Sequence, residues 1–140
     1  MQEIWERGLD WYSKLPGDLE SRWKKWCAEI EVLGEMKLER CYFSRVVGKM
    51  DSVEIHIFSD ASIVEYGAVA HFRYVNLRRE VGSSFVMSKS RISPLKKLSL
   101  PRLELIGTLI AARLGKYLSK VFCGLIGGGI LWTDSEICLC

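Results

Sequence analysis

From residue 53 the chain alternates, Val53, Ile55 and Ile57 against Glu54, His56 and Phe58, which predicts a strand with one strongly apolar face that ends at Asp60. Residues 67–74 (GAVAHFRY) predict a second strand, residues 76–80 a polar turn, and residues 84–88 (SFVMS) a third strand, together an antiparallel meander. A basic loop follows, SKSRISPLKKLSLP, in which Pro94 interrupts regular structure. A long helix is predicted from Pro101 through RLELIGTLIAARLGKYLSKVF to Gly124, apolar nearly all round and therefore in need of cover on more than one side. After the Gly127-Gly128-Gly129 turn, residues 130–133 form a fourth predicted strand that reaches Asp134. Ahead of all this, a different period holds. Leu19, Trp23, Trp26, Ile30 and Leu33 fall on one face of a helix that follows the Pro16-Gly17-Asp18 turn, an amphipathic surface that expects to dock.

The change of period near residues 49–52 divides the chain into a helical part, residues 1–50, and an α/β part, residues 51–140. The order strand, strand, strand, helix, strand predicts a mixed sheet with the last strand parallel to the first. With 140 residues, 49% of them hydrophobic and 26% charged, the chain is long enough to bury a core and is not a disordered tail. A net charge of +3 permits a polyanionic partner without arguing for one. Five scattered cysteines, Cys27, Cys41, Cys123, Cys138 and Cys140, have no paired zinc-ligand spacing and read as reduced intracellular thiols. The first residues carry acids and tryptophans where an export signal has a basic end and an apolar run. No stretch is long and apolar enough to cross a membrane; the most apolar, VFCGLIGGGILW, is short and glycine-rich. The GGG run lacks the Lys-Ser/Thr of a phosphate loop, and His56 and His71 lack metal-ligand spacing.

Three acids sit at structural junctions: Asp60 ends the first strand, Glu104 falls in the first turn of the predicted helix, and Asp134 ends the last strand. Each has an ordinary explanation. Asp60 can cap a turn with Ser62, Glu104 can complement the helix dipole, and Asp134 can cap a following helix. Taken together they carry more weight, because neighbouring first and last strands bring both aspartates to one sheet edge, where a helix-borne glutamate faces them. Clustered carboxylates repel, and a divalent cation with a taste for hard oxygen, Mg²⁺ or Mn²⁺, is the usual relief. Glu104 shares a helix face with Thr108, Ala111 and Gly115, small residues that allow close approach to other backbone.

The motifs FSDAS at 58–62, LPRLEL at 100–105 and LWTDS at 131–135 resemble, in order, the three acidic motifs of retroelement ribonuclease H domains. The stretch SKSRISPLKKLSLPRLELIGTLIAARL closely resembles the BEL/Pao class of retrotransposons, in the region also labelled Pao retrotransposon peptidase. GLDWYSKLP, with Trp23, Trp26, Leu33 and Arg40, is similar to the connector that follows the reverse transcriptase in those polyproteins; Glu39 departs from the family's usual proline. The resemblance implies an incomplete ribonuclease H-like fold behind a helical connector. It also implies binding of RNA/DNA hybrids and hydrolysis of the RNA strand with two metals about 4 Å apart. Asp60 then bridges the metals, with Glu104 and Asp134 completing one of them. The family's fourth acid has no match in the tail, Glu136 included, so the resemblance implies a half-site that binds metal and hybrid but does not cut alone.

By the same resemblance Lys89, Arg91, Lys96, Lys97 and Arg102 contact phosphates, although by composition alone they read as a solvated loop. The implied partners are the hybrid and the reverse transcriptase portion of the same polyprotein, with self-association where usual cover is missing. Two rivals remain. One is a non-enzymatic transposon remnant or scaffold; the other is an aspartic peptidase, against which Ser62 stands where the catalytic turn of such enzymes has glycine.

Overall fold

The computed structural model describes residues 2–39, 41–44 and 48–138. It divides into two compact units, residues 1–39 and residues 40–140. The division falls ahead of the change of period near residue 50, because Tyr42 and Phe43 pack edge-on and tilted against Phe72 and belong to the core of the second unit. Arg40 and Cys140, both singled out in the sequence, lie outside the described residues.

In the first unit, α1 (Gln2–Glu6) and α2 (Gly17–Glu31) are helical, and Arg7 makes a two-pronged ion pair with Asp18. The apolar stripe on α2 is real, but within its unit only Leu19 is buried. Trp23 and Trp26 pack against each other at a tilt of 33°, ring centroids 4.9 Å apart, and both are about half exposed, as are Ile30 and Leu33 to differing degrees. The stripe therefore forms as its spacing predicts, and its own unit buries only Leu19 of it.

The second unit is a four-stranded sheet in the order β3-β2-β1-β4, with β1 at Met50–Ala61, β2 at Glu65–Asn76, β3 at Val81–Ile92 and β4 at Gly128–Thr133. β1 and β2 pair antiparallel, as do β2 and β3, while β4 runs parallel to β1. This is the mixed α/β sheet that the element order predicts. Each strand is longer than its hydrophobic alternation suggests, since backbone pairing continues where side chains turn polar. The clearest case is β3, which runs to Ile92, so that Lys89 and Arg91 lie in the strand and not in the loop assigned to them. Asn76 fastens the β2–β3 turn: its Oδ1 accepts the N–H groups of Arg78 and Glu80, and Arg79 takes a positive φ of 64°.

The long helix α3 (Leu100–Val121) lies on one face of the sheet. Leu103, Gly107, Ile110, Ala111, Leu114 and Leu118 form its buried face, at the three- and four-residue spacing of an amphipathic helix. They meet Val53, Ile55 and Ile57 of β1 and Ala68, Ala70 and Phe72 of β2, the inward half of each strand's alternation. Complete burial of side chains such as Ile55, Ile57 and Phe72 contributes about 1.5–3 kcal/mol apiece. Cover on a second side, expected from the apolar circumference of α3, is not found among the described residues: Leu105, Leu109 and Val121 are exposed. The sheet's other face is also open and carries an aromatic path. Trp132 stacks on Phe58 at 6.0 Å, Phe58 meets His71, and His71 meets Phe85, so the rings cross all four strands.

Candidate active site

Parallel pairing sets the site. Phe58 pairs with Trp132 and Ser59 with Thr133, so Asp60 and Asp134 are the next residues at the same end of adjacent strands. The Ser59 hydroxyl donates to the Trp132 carbonyl at 3.3 Å and ties the two strand ends together. By alternation Asp60 stands on the open face with Phe58, and it lines a cleft of about 490 Å³ there with Ser62, Glu65, Val69 and Ser88.

Glu104 comes to the same end from the other layer. Because α3 starts at Leu100, Glu104 falls in its second turn, not its first, and the ordinary reading as a complement to the helix dipole loses force. One position before Thr108, the first of the small residues expected to allow close approach, Gly107 meets backbone: a Cβ there would stand 3.3 Å from the Asp60 carbonyl oxygen. At Gly115 the close neighbour is a side chain and not backbone: a Cβ there would meet Ile57 Cδ1 at 3.0 Å. Seated this way, the start of α3 reaches the end of β4, where the buried Ser135 hydroxyl donates to Glu104 Oε2 at 2.7 Å.

The capping alternatives are answered by neighbours of the acids. In the β1–β2 turn the Ser62 hydroxyl accepts the N–H groups of Val64 and Glu65, while Asp60 Oδ1 takes only the adjacent Ala61 N–H, at 2.7 Å. After β4, Thr133 Oγ1 accepts the Ser135 N–H, and Ser135 O takes that of Cys138. The sequence passed over Ser135, Gly107 and Glu65 as site components. A serine directly after Asp134 was the visible signal for the first; the other two depend on long-range packing.

In kind, the three carboxylates suit Mg²⁺ or Mn²⁺. Their arrangement is one of convergence on an edge, not a closed ligand set: among the described residues no three His, Cys, Asp or Glu side chains are grouped to hold a metal ion. The reason is parity. Asp60 projects on the open face, whereas Glu104 is held through Ser135 on the helix side.

The expected phosphate contacts separate. Lys89 and Arg91 extend from edge strand β3, Lys96 and Lys97 lie in the irregular segment before α3, and Arg102 is in the first turn of α3; all five are exposed. His56 is locally bonded, as a histidine without metal spacing should be. The Trp132 indole N–H can only donate, so His56 Nδ1 accepts it at 3.0 Å and Nε2 carries the proton toward Glu54. Glu54 is also bonded by Arg73, and its carboxyl is held below the ordinary range, first by the His56 hydrogen bond and then by that of Arg73.

A four-stranded mixed sheet with one crossover helix, and acids at the adjacent ends of its parallel pair, is consistent with a ribonuclease H-like domain. The family model described as the Pao retrotransposon-like RNaseH-like domain matches residues 1–135, and the chain belongs to that family. The match spans both units. No curated protein and no solved structure matched the chain.

Proposed function

We propose that this chain is the part of a retrotransposon polyprotein that binds RNA/DNA hybrids and belongs to the machinery that hydrolyses their RNA strand. The observation that carries the reading is the convergence of Asp60, Asp134 and Glu104 on one end of the β1–β4 pair, with Glu104 tethered by Ser135. Asp60 and Asp134 would hold a Mg²⁺ or Mn²⁺ ion there, joined by Glu104; the ion, when bound, supplies electrostatic stabilisation of charge developing on phosphate oxygens. The chain's own residues position the strand and set the charge of the edge. Little cleavage by the chain alone is the expectation, since the resemblance matches three of the four acids that two-metal hydrolysis uses. The open aromatic face, and the α2 stripe of which its own unit buries only Leu19, support contact with the reverse transcriptase portion of the polyprotein or self-association. Reduced thiols, with Cys27, Cys41 and Cys123 free and exposed, suit the cell interior. Among the described residues no helix is long and apolar enough to cross a membrane.

The test is Mn²⁺ binding by calorimetry together with cleavage of a labelled RNA/DNA hybrid. Expected results are measurable Mn²⁺ uptake, lost in Asp60→Asn, and little or no cleavage. Robust turnover abolished by Asp60→Asn would keep the site and overturn the inactivity; turnover that survives Asp60→Asn would overturn the site itself.

A further inference from the structure

We propose that the groove between edge strand β3 and the outer flank of α3 is a track for the sugar-phosphate backbone of the bound nucleic acid, with Arg113 and Tyr117 as binding residues alongside Lys89 and Arg91. The proposal rests on the hybrid-binding reading above and adds a location and two residues to it.

Charge distribution is the first observation. Residues 81–121 contain eight Lys or Arg and a single acid, Glu104, although the whole chain carries a net charge of only +3. Geometry is the second. Met87, Lys89, Arg91, Ile110, Arg113 and Tyr117 surround a groove of about 370 Å³. Lys89 and Arg91 pair across the sheet with Ala68 and Tyr66, both inward-facing, so their side chains lean to the helix side, toward Arg113. The third observation is the absence of ion pairs. Arg7, Arg22, Arg73 and Arg79 all have carboxylate partners. Among the described residues Lys89, Arg91 and Arg113 have none within 4.0 Å, because neither flanking element supplies an acid apart from Glu104.

Cations gathered without counter-charge repel one another, and a polyanion relieves that repulsion while releasing its own counterions. Guanidinium groups favour phosphate through forked donation, and the half-exposed Tyr117 ring adds a flat surface on which a sugar or base can stack. The groove also leads to the acids. It lies on the helix side of the sheet, the side on which Glu104 is held, and Ser90, the residue between Lys89 and Arg91, is two strand spacings, about 10 Å, across the sheet from Asp60. A backbone held there can continue to the β1–β4 end.

The experiment measures binding of a labelled RNA/DNA hybrid to the full chain by fluorescence anisotropy in EDTA, across a salt series. Arg91→Ala and Arg113→Ala should each weaken binding about three- to fivefold, near the upper end for an exposed ion pair. Each should also lower the slope of log affinity against log salt by about 0.9. Arg113→Lys should retain the slope, Tyr117→Ala should weaken binding without changing it, and Lys120→Ala, outside the groove, should have a smaller effect than either arginine. Circular dichroism confirms that these exposed substitutions leave the fold intact. If the chain binds hybrid but the Arg91→Ala/Arg113→Ala variant matches the parent in affinity and slope, the track is refuted and the hybrid-binding reading stands. If the chain binds no nucleic acid, both fail. Equal affinity for polyglutamate or for vesicles rich in anionic lipid would also refute the track, by showing a surface for any polyanion.

Discussion

Ser135→Ala isolates the contact that joins the two layers of the site. The Ser135 hydroxyl is buried and donates at 2.7 Å to Glu104 Oε2, so its loss leaves a half-buried carboxylate oxygen without its donor. A hydrogen bond to a charged group contributes about 1.5–3 kcal/mol, and the partial exposure of Glu104 selects the lower end, about 1.5 kcal/mol. For a unit of about 100 residues the unfolding entropy near the midpoint is about 0.2 kcal/mol per degree, which converts that loss into a fall in Tm of about 7 °C. Thermal melts followed by circular dichroism measure it. Ser135→Thr, which keeps the hydroxyl, should recover part of the loss. The substitution should also weaken Mn²⁺ uptake, since Glu104 is then no longer held at the end of β4. An unchanged Tm with unchanged Mn²⁺ affinity would refute the tether.

Two further outcomes follow from the same sheet. A Cβ at Gly82 would lie 2.4 Å from Cε2 of the fully buried Tyr74, its cross-strand partner, against ordinary carbon contacts of about 3.5–4.0 Å. Gly82→Ala should therefore destabilise by about 2–3 kcal/mol, a fall in Tm of roughly 10 °C or more; a melt like that of the parent would show that Tyr74 is not fixed there. Glu54 gives a pH dependence. Its carboxyl is held below the ordinary range in the folded state, so its contribution is fully present above the unfolded value, near pH 4.3, and is lost as pH falls through the lower folded value. Urea titrations should show Glu54→Gln less stable than the parent at pH 7 and the gap closing below about pH 4; a gap independent of pH would contradict the assignment.

How much of this was legible depended on the range of the interaction. Period-two alternation at 53–58 identified β1 and the position of Asp60, and the apolar run around Leu103 to Leu118 identified α3, because both patterns record burial against one surface. Strand ends were less legible. β3 continues through Lys89 and Arg91 to Ile92 because its backbone pairs with β2, and backbone pairing leaves no hydrophobic trace. Helix onset was legible to within one residue: Pro101 stands in the first turn, and because the Ser99 carbonyl receives the Arg102 and Leu103 N–H groups the helix starts at Leu100, which moves Glu104 into the second turn. The Ser135 tether and the Gly107 approach join residues far apart in the chain, and local spacing holds no record of either.

The connection from β3 to β4 accounts for both the site and its open surfaces. β3 and β4 each run in the direction of β1, so α3 is a parallel crossover, and such crossovers are right-handed in nearly all sheets. That handedness commits α3 to a single face. Ile55, Ile57 and Phe72 are covered as a result, while Phe58, Trp132 and Phe85 are left in the open. The same crossover returns the chain beside β1 in parallel, which brings Asp134 level with Asp60; an antiparallel β4 would place its terminal acid at the opposite end. The acidic edge and the uncovered aromatic face are thus two results of one connection. Phe58 and Trp132, stacked at 6.0 Å on the uncovered face, each stand two residues before an aspartate, so the aromatic surface and the acidic edge are built on the same two strand ends.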